Sequence, residues 1–351
     1  MSKDSIWRYM SLAKYVDLLR SRTIFFPKAS LFPDETEGKW VAHAFLWGQK
    51  QKWQKAKANA DILQALLQRA KGDPDRILRE GSLLYERLSE IERKEVLGDV
   101  LADLILIYPH KREEYLNGMV ESWTRHHDNF NTEVQEWASQ VAIHRESTYI
   151  SCWSRADSTS VAMWNLYGGG TEAVAIRSSV AKLKALLENN SDWLQNQGFD
   201  GDVVDVYYVD GLNEPGEDVQ GDLMERLSVG KDVRVGEFSV KPSLYEYERE
   251  VRAILYPKRG PFDPVINPHP DWSGISLPIG GFTEEGPRSM TSFIESVHIH
   301  PTLDSESMIA RTLTAINVQF GLKDIPIITD KIEAIGPNML LQPTGQTPTR
   351  G

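Results

Sequence analysis

Residues 243–255 read SLYEYEREVRAIL and lie between Pro242 and the pair Tyr256-Pro257. The pattern predicts a β-strand over 244–256, and a strand points successive side chains to opposite faces. One face would then carry an acidic row that ends in an arginine: Glu246, Glu248, Glu250 and Arg252. Neighbouring like charges repel one another, so either water covers this face or it lines a cleft where carboxylates serve chemistry. The apolar second half of the stretch favours the cleft.

Composition limits the classes of function that fit this chain. Its 351 residues include 50 acidic and 39 basic side chains, for a formal net charge of −11. That charge argues against nonspecific binding to nucleic-acid phosphates, which requires a basic surface. Cys152 is the only cysteine, which excludes an internal disulfide and favours a reducing, cytoplasmic location. The chain has no apolar signal core and no run of about 18 apolar residues, so no membrane association is expected.

Local patterns divide the chain into a predicted α+β core and a large helical insertion. Residues 50–145 have helical periodicity and are rich in good helix formers. We expect a mixed or mainly antiparallel sheet. The strands of one core are predicted at the β-prone segments 5–10, 23–27, 148–153, 171–177, 203–209 and 244–256. The predicted division is a core of residues 1–48 and 146–335, an insertion over 49–145 and a flexible tail over 336–351.

Few local motifs point to chemistry by themselves. The chain lacks a P-loop, a GxGxxG after a strand, an HExxH and a GxSxG. His298 and His300 would share one strand face, but sequence assigns them no third ligand, and no metal is expected. Cys152 lies in an apolar run, which predicts a buried, inert thiol. Trp164 and Tyr167 are three residues apart, a spacing that suits one wall of a pocket for a flat ligand as well as a core.

The order of the motifs resembles a bacterial family of unknown function, the "domain of unknown function" family numbered twenty-nine seventy-one. The resemblance rests on the stretches WRYMS, IFFPKASLFPDETEG, YISCWSR, MWNLY and YEREVR. The matching residues are Tyr9, Phe32, Asp34, Glu37, Cys152, Ser154, Met163, Trp164, Tyr167, Glu248, Glu250 and Arg252. Pro33 and Glu35 depart from the family's usual acidic turn. The family name implies no activity.

The layout also resembles ADP-ribosyltransferases and the related RNA phosphotransferases. Those enzymes place a basic residue on a first strand, an aromatic or serine motif on a middle strand and a glutamate on a later one. The matching order is Arg8, then Ser158-Thr159-Ser160 or the Trp164 and Tyr167 pair, then Glu248-x-Glu250. The resemblance implies that NAD is the co-substrate. It also implies that the second glutamate, Glu250, holds the nicotinamide ribose and that the first, Glu248, orients the acceptor. A buried carboxylate stabilises the oxocarbenium charge of that cleavage, and an arginine grips pyrophosphate.

Three functions stay open at this point. The first is an ADP-ribosyltransferase-like toxin or phage-defence effector with Glu250, Glu248 and Arg8 as catalytic residues. The second is a non-catalytic module that senses a nucleotide or a phage component, and the third is a metal-dependent nuclease. A small nucleotide is the expected ligand, and a protein partner or a second copy of the chain is an open alternative. The expected binding residues are Tyr9, Asp34, Glu37, Trp153, Ser154, Trp164, Tyr167 and Arg252.

Overall fold

The computed structural model describes residues 4–87, 98–212, 215–216, 218–219, 221–223, 233–258, 268–281 and 290–329. The strands are β1 Ser5–Ser11, β2 Thr23–Pro27, β3 Tyr149–Arg155, β4 Ala173–Ser179, β5 Phe199–Asp205, β6 Tyr207–Val209, β7 Val240–Pro242, β8 Glu250–Pro257, β9 Gly274–Pro278, β10 Ser296–Ile299 and β11 Ile327–Thr329. The main helices are α1 Leu12–Ser21, α2 Trp40–Ala70, α3 Pro74–Arg87, α4 Gly98–Leu106, α5 Arg112–Ser147, α6 Val180–Asn189, α7 Ser191–Asn196, α8 Val233–Glu237 and α9 Met308–Gln319.

Seven strands form the central sheet in the order β11-β10-β4-β1-β3-β8-β5. Neighbouring strands are antiparallel except β10 and β11, which are parallel. The predicted α+β class with a mainly antiparallel sheet is confirmed. Within the described residues, no helix is long and apolar enough to cross a membrane.

Two of the segments predicted to build one core do so outside the main sheet, at least in part. Strand β2 pairs with β9 in a separate ribbon, and β6 pairs with β7. In β2, Ile24 and Phe26 are buried and Phe25 is exposed, so this ribbon covers the main sheet with one face. A β-prone pattern predicts a strand, but the partner is decided by packing between distant segments.

The strand predicted over 244–256 begins later than expected. Ser243–Glu248 is a 3₁₀ helix, Arg249 has left-handed backbone angles with φ of 42°, and β8 starts at Glu250. The Arg249 N–H donates to the carbonyl of Glu246 at 3.1 Å, which closes the turn. Glutamate has a low propensity for β-strands, so the first half of the predicted strand forms a turn in spite of its alternating pattern.

The helical prediction holds where the structure describes the chain. Helices α2, α3, α4 and α5 cover most of residues 40–147, and residues 88–97 lie outside the described ranges. They pack on one another through their own apolar cluster, which includes Leu63, Leu66 and Leu116. The predicted tail over 336–351 also lies outside the described residues.

The two faces of the main sheet have different contents. One face, called the apolar face here, packs Ile6, Ile176 and Leu255 in the largest core cluster, with helices α1, α6 and α9 contributing to it. The opposite side, called the polar face, carries residues that alternate with these along β1, β3 and β8. The candidate site lies on the polar face.

Candidate functional site

A fully buried arginine is the centre of the polar face. Arg252, on β8, has 0% of its surface exposed. Its Nη1 and Nη2 donate to the two carboxylate oxygens of Glu37 at 2.5 and 3.0 Å. Its Nε and Nη2 donate to Glu250 at 3.0 Å each, and Nη1 also donates to the carbonyl of Phe238 at 2.5 Å. The guanidinium therefore holds two carboxylates, each through two hydrogen bonds.

A lysine joins this arginine group to the other predicted glutamate. Lys241 Nζ lies 2.8 Å from Glu248 Oε2 and 2.8 Å from Glu250 Oε2. Tyr167 donates its hydroxyl to Glu248 Oε1 at 2.6 Å. Three carboxylates thus face two cations, Lys241 and Arg252, and the network carries a formal excess of one negative charge. Such a network of paired charges is stable only while every member keeps its partners.

The cations keep Glu250 ionised in spite of its burial. Burial opposes the charge and would raise the pKa of Glu250, but Arg252 and Lys241 outweigh it and lower that pKa to about 2. Burial lowers the pKa of Lys241, and the surrounding carboxylates, Glu250 first, raise it above its usual value. Near neutral pH Glu250 is therefore a fixed negative charge and not a proton donor.

The turn before β8 brings the two glutamates to one place. The left-handed Arg249 ends the 3₁₀ helix after Glu248 and turns the backbone into β8 at Glu250. Ser154 Oγ donates to the carbonyl of Glu248 at 2.7 Å, and the Glu250 N–H donates to the hydroxyl of Tyr208 at 2.8 Å. Both carboxylates reach Lys241 because of this turn, and not because they share one strand face.

The acidic turn near residue 34 positions Glu37 for Arg252. Asp34 accepts hydrogen bonds from the Thr36 N–H at 2.8 Å and the Thr36 hydroxyl at 2.6 Å, as in an Asx turn. Gly38 follows with φ of 73°, and a Cβ there would collide with the ring of Phe238. Asp34 therefore supports the backbone of this segment, and Glu37 is the residue that reaches the site.

An open cavity of about 380 Å³ borders this network. Glu250, only 6% exposed, contributes to its wall. The charged lining consists of Arg155, Asp157, Asp205, Glu246, Arg249 and Glu250. Four carboxylates against two arginines make the lining acidic, and Arg155 already pairs with Asp205 at 2.8 Å. The volume lies in the range of about 300–1,000 Å³ that is usual for small-molecule sites.

Arg8 does not join Glu250, so the predicted cleft with both residues is wrong. Along β1 the side chains alternate, and Arg8 lies on the same face as Ile6 and Met10, the apolar face. Its Nη2 donates to the carbonyl of Phe25 at 3.1 Å, and its guanidinium lies 5.6 Å from the centre of the Trp153 ring. The sheet itself separates this pair from Glu250.

Trp153 belongs to the apolar face for the same reason. It is 2% exposed and packs against Phe293 with ring centres 5.8 Å apart. Its neighbour Ser154 points to the polar face, where it fixes the Glu248 turn as described above. Only one residue of this predicted pair therefore lies near the candidate site.

The aromatic wall predicted from Trp164 and Tyr167 is divided between core and site. Trp164–Gly168 forms a π-helical turn, and Trp164 is fully buried against Tyr9, with ring centres 5.1 Å apart. The Tyr9 hydroxyl accepts from the Ser160 N–H at 2.9 Å. Tyr167 is half exposed and reaches Glu248. Trp164 and Tyr9 are core residues here, which corrects their assignment to a pocket wall.

The histidine pair and the cysteine contribute no metal centre within the described residues. His298 contacts the Ser296 hydroxyl at 3.0 Å, and His300 contacts the Thr302 hydroxyl at 2.7 Å. No group of three or more potential metal ligands occurs among the residues that the structure describes. Cys152 is partly buried, and burial, together with the charge of Glu250, raises its pKa well above the usual value. It therefore stays a neutral thiol at physiological pH.

Several residues of the site are not indicated by any sequence pattern, and four of them have defined roles here. Lys241 bridges the two glutamates, while Tyr208, Arg155 and Arg249 line the cavity. A lone lysine in a short strand is usually exposed, so its pattern gives no signal. The row of carboxylates was the only available hint, since buried acids require cations from elsewhere in the chain.

Comparisons with family models, curated proteins and solved structures find no match to this chain. The two family resemblances therefore stay predictions, and the functional argument rests on the geometry of the site.

Proposed function

We propose that the protein is an ADP-ribosyltransferase-like enzyme that binds the nicotinamide–ribose end of NAD in the cavity beside Glu250. The observation that carries this proposal is an ionised carboxylate in the wall of an open, acidic cavity. When the glycosidic bond breaks, positive charge moves from the nicotinamide ring to the ribose. A carboxylate already held in place stabilises that charge without reorganisation at the moment of reaction.

The bond changes follow from this placement. The bond between ribose C1′ and the nicotinamide nitrogen breaks, and the electron pair leaves with neutral nicotinamide. A nucleophile, either an acceptor group or water, forms the new bond to C1′ and loses its proton to solvent. Glu250 is the fixed charge beside the ribose and takes no part in proton transfer, because its pKa is about 2.

Arg249 replaces Arg8 in the proposed contact with the pyrophosphate. Its side chain is exposed and lines the cavity, whereas Arg155 is engaged with Asp205. A guanidinium binds phosphate oxygens through two parallel hydrogen bonds, which suits this role. Glu246 takes the acceptor-side role that the resemblance gave to Glu248. Glu248 is buried between Lys241 and Tyr167 and does not line the cavity.

One observation favours a second candidate, a non-catalytic module that binds a nucleotide. The carboxylates of Glu248 and Glu250 already have partners in Lys241, Arg252 and Tyr167 without any ligand. A network satisfied in this way holds the cavity in shape without any need for a catalytic role. Such a module would bind NAD or another nucleotide without cleaving it.

Release of nicotinamide from NAD distinguishes these candidates. With candidate acceptors present, we expect Glu250→Gln to reduce release by at least about a hundredfold, the scale for losing a charge-stabilising group. Arg249→Ala should weaken NAD binding with little change in stability, since Arg249 is exposed. Glu188→Gln, the same chemical change at an exposed position of α6, should have no effect.

Folding and binding are measured for each variant, because Glu250→Gln also disturbs Arg252. Circular dichroism and NAD titration serve this purpose. A folded Glu250→Gln protein as active as the unmodified chain would reject the enzymatic role. NAD binding without nicotinamide release by the unmodified chain would support the binding module instead.

A further inference from the structure

A second cavity, of about 530 Å³, lies between the long helices α2 and α5. Part of its lining is apolar, with Leu46 from α2 and Val141 from α5 beside the indole of Trp137. The charged lining residues are Lys39, Arg145 and the exposed Glu146, so the lining carries a formal net positive charge of one. The combination of apolar walls and positive charge differs from the acidic cavity beside Glu250.

Arg145 is the unusual member of this lining. It is 8% exposed, and its Nη1 donates a short hydrogen bond to the backbone carbonyl of Glu37. Among the described residues no carboxylate pairs with its guanidinium, whereas Arg252 holds two carboxylates. The neighbouring Glu146 pairs with Lys28 at 3.2 Å. A buried cation with no paired carboxylate costs free energy, and an anion from outside the chain would remove that cost.

We propose that this cavity binds a small organic carboxylate with a flat apolar body. Its carboxylate would take the free donors of Arg145 in the planar, two-bond geometry that guanidinium groups favour. Its apolar body would pack on Leu46, Val141 and Trp137. A carboxylate suits the site better than a phosphate, because one buried arginine and the exposed Lys39 offer few donors for a doubly charged group.

This cavity also adjoins the ion network of the other site. Arg145 holds Glu37 by its backbone carbonyl, and Arg252 holds the same residue by its carboxylate. The binding proposal does not depend on NAD chemistry, since its readout is the affinity for a carboxylate. Its success or failure is therefore independent of the nicotinamide assay.

Calorimetric titration with 2-naphthoate and with its neutral amide, 2-naphthamide, tests the proposal. For a ligand of this size a Kd of about 0.1–1 mM is expected for the carboxylate. The amide, which lacks the charge, should bind at least about tenfold more weakly. Equal affinities would overturn the role of Arg145. Displacement of naphthoate by inorganic phosphate at equal concentration would overturn the assignment to a carboxylate.

Two matched tryptophan substitutions on α5 locate the site without touching Arg145. Ala142 is exposed and lines the cavity, so Ala142→Trp should fill it and abolish naphthoate binding. Gln140 is exposed on the same helix and does not line the cavity, so Gln140→Trp should bind as the unmodified chain does. Binding that survives Ala142→Trp unchanged would place the ligand elsewhere and reject the proposal.

Discussion

The two faces of the central sheet are both buried, yet they are stabilised in different ways. On the apolar face, Ile6, Ile176 and Leu255 gain stability mainly by removal from water, an effect that depends little on direction. On the polar face, Arg252 and Lys241 are stabilised by hydrogen bonds and ion pairs with defined geometry. A residue on the first face contributes largely by its own volume, whereas the ions on the second face depend on one another.

This difference has a consequence for function. Apolar packing tolerates changes that conserve volume and offers little chemistry. The ionic network leaves one carboxylate, Glu250, ionised at the wall of an open cavity. The polar face is therefore the side on which binding or catalysis is expected, and substitutions on the two faces should differ in size and in their response to pH.

The largest expected effect is the loss of the central arginine. Arg252→Ala leaves Glu37 and Glu250 as buried carboxylates without their main partner. Breaking a buried ion pair from one side costs about 3–5 kcal/mol. Urea unfolding followed by fluorescence should show a loss of that size in the free energy of unfolding. A loss below about 1 kcal/mol would mean that the ions of the polar face act independently.

Acid should weaken the polar face selectively. The folded-state pKa of Glu250 is about 2, below its usual value of 4.5, so its contribution is fully present above about pH 5 and is lost as the pH falls towards 2. Because of this difference in pKa between the folded and unfolded states, Glu250 accounts for a loss of about 2 kcal/mol in the free energy of unfolding between pH 7 and pH 3. Urea unfolding at both pH values measures this loss. Glu250→Gln should remove that part of the pH dependence, and an unchanged dependence would contradict the ion pairing of Glu250.

A conservative change on the apolar face should have a smaller effect. Ile176 is fully buried in the largest core cluster, and Ile176→Val removes one methylene group. The expected loss in the free energy of unfolding, measured by urea unfolding, is about 0.5–1.5 kcal/mol. Because no ionised group is lost, the loss should be equal at pH 7 and pH 4. A clear difference between the two would show that the faces are coupled.

The smallest effect is expected for the only cysteine, which lies beside Glu250. Burial and the charge of Glu250 keep its thiol protonated, so Cys152→Ala should change stability by no more than about 1 kcal/mol and leave any activity intact. Native protein should react slowly with a thiol reagent such as 5,5′-dithiobis(2-nitrobenzoate). Rapid modification with loss of function would reverse this interpretation.

Sequence by itself determined the elements whose pattern is local. The helices α2 to α5 follow from periodicity, and the strands β1, β3 and β4 follow from short β-prone runs. The alternation of side chains along β1 also places Arg8 on the apolar face, because Arg8 shares a face with Ile6 and Met10. Those signals involve residues only a few positions apart, so neighbouring side chains and backbone geometry are sufficient to fix them.

Only the tertiary structure decided what the row of carboxylates does. The 3₁₀ turn at Ser243–Glu248 and the left-handed Arg249 replaced half of the predicted strand, yet they brought Glu248 and Glu250 to the same lysine. The partner that Arg252 finds in Glu37 lies 215 residues away along the chain. A buried charge requires a counter-charge, but the sequence does not say which one, because the pairing depends on how distant segments pack.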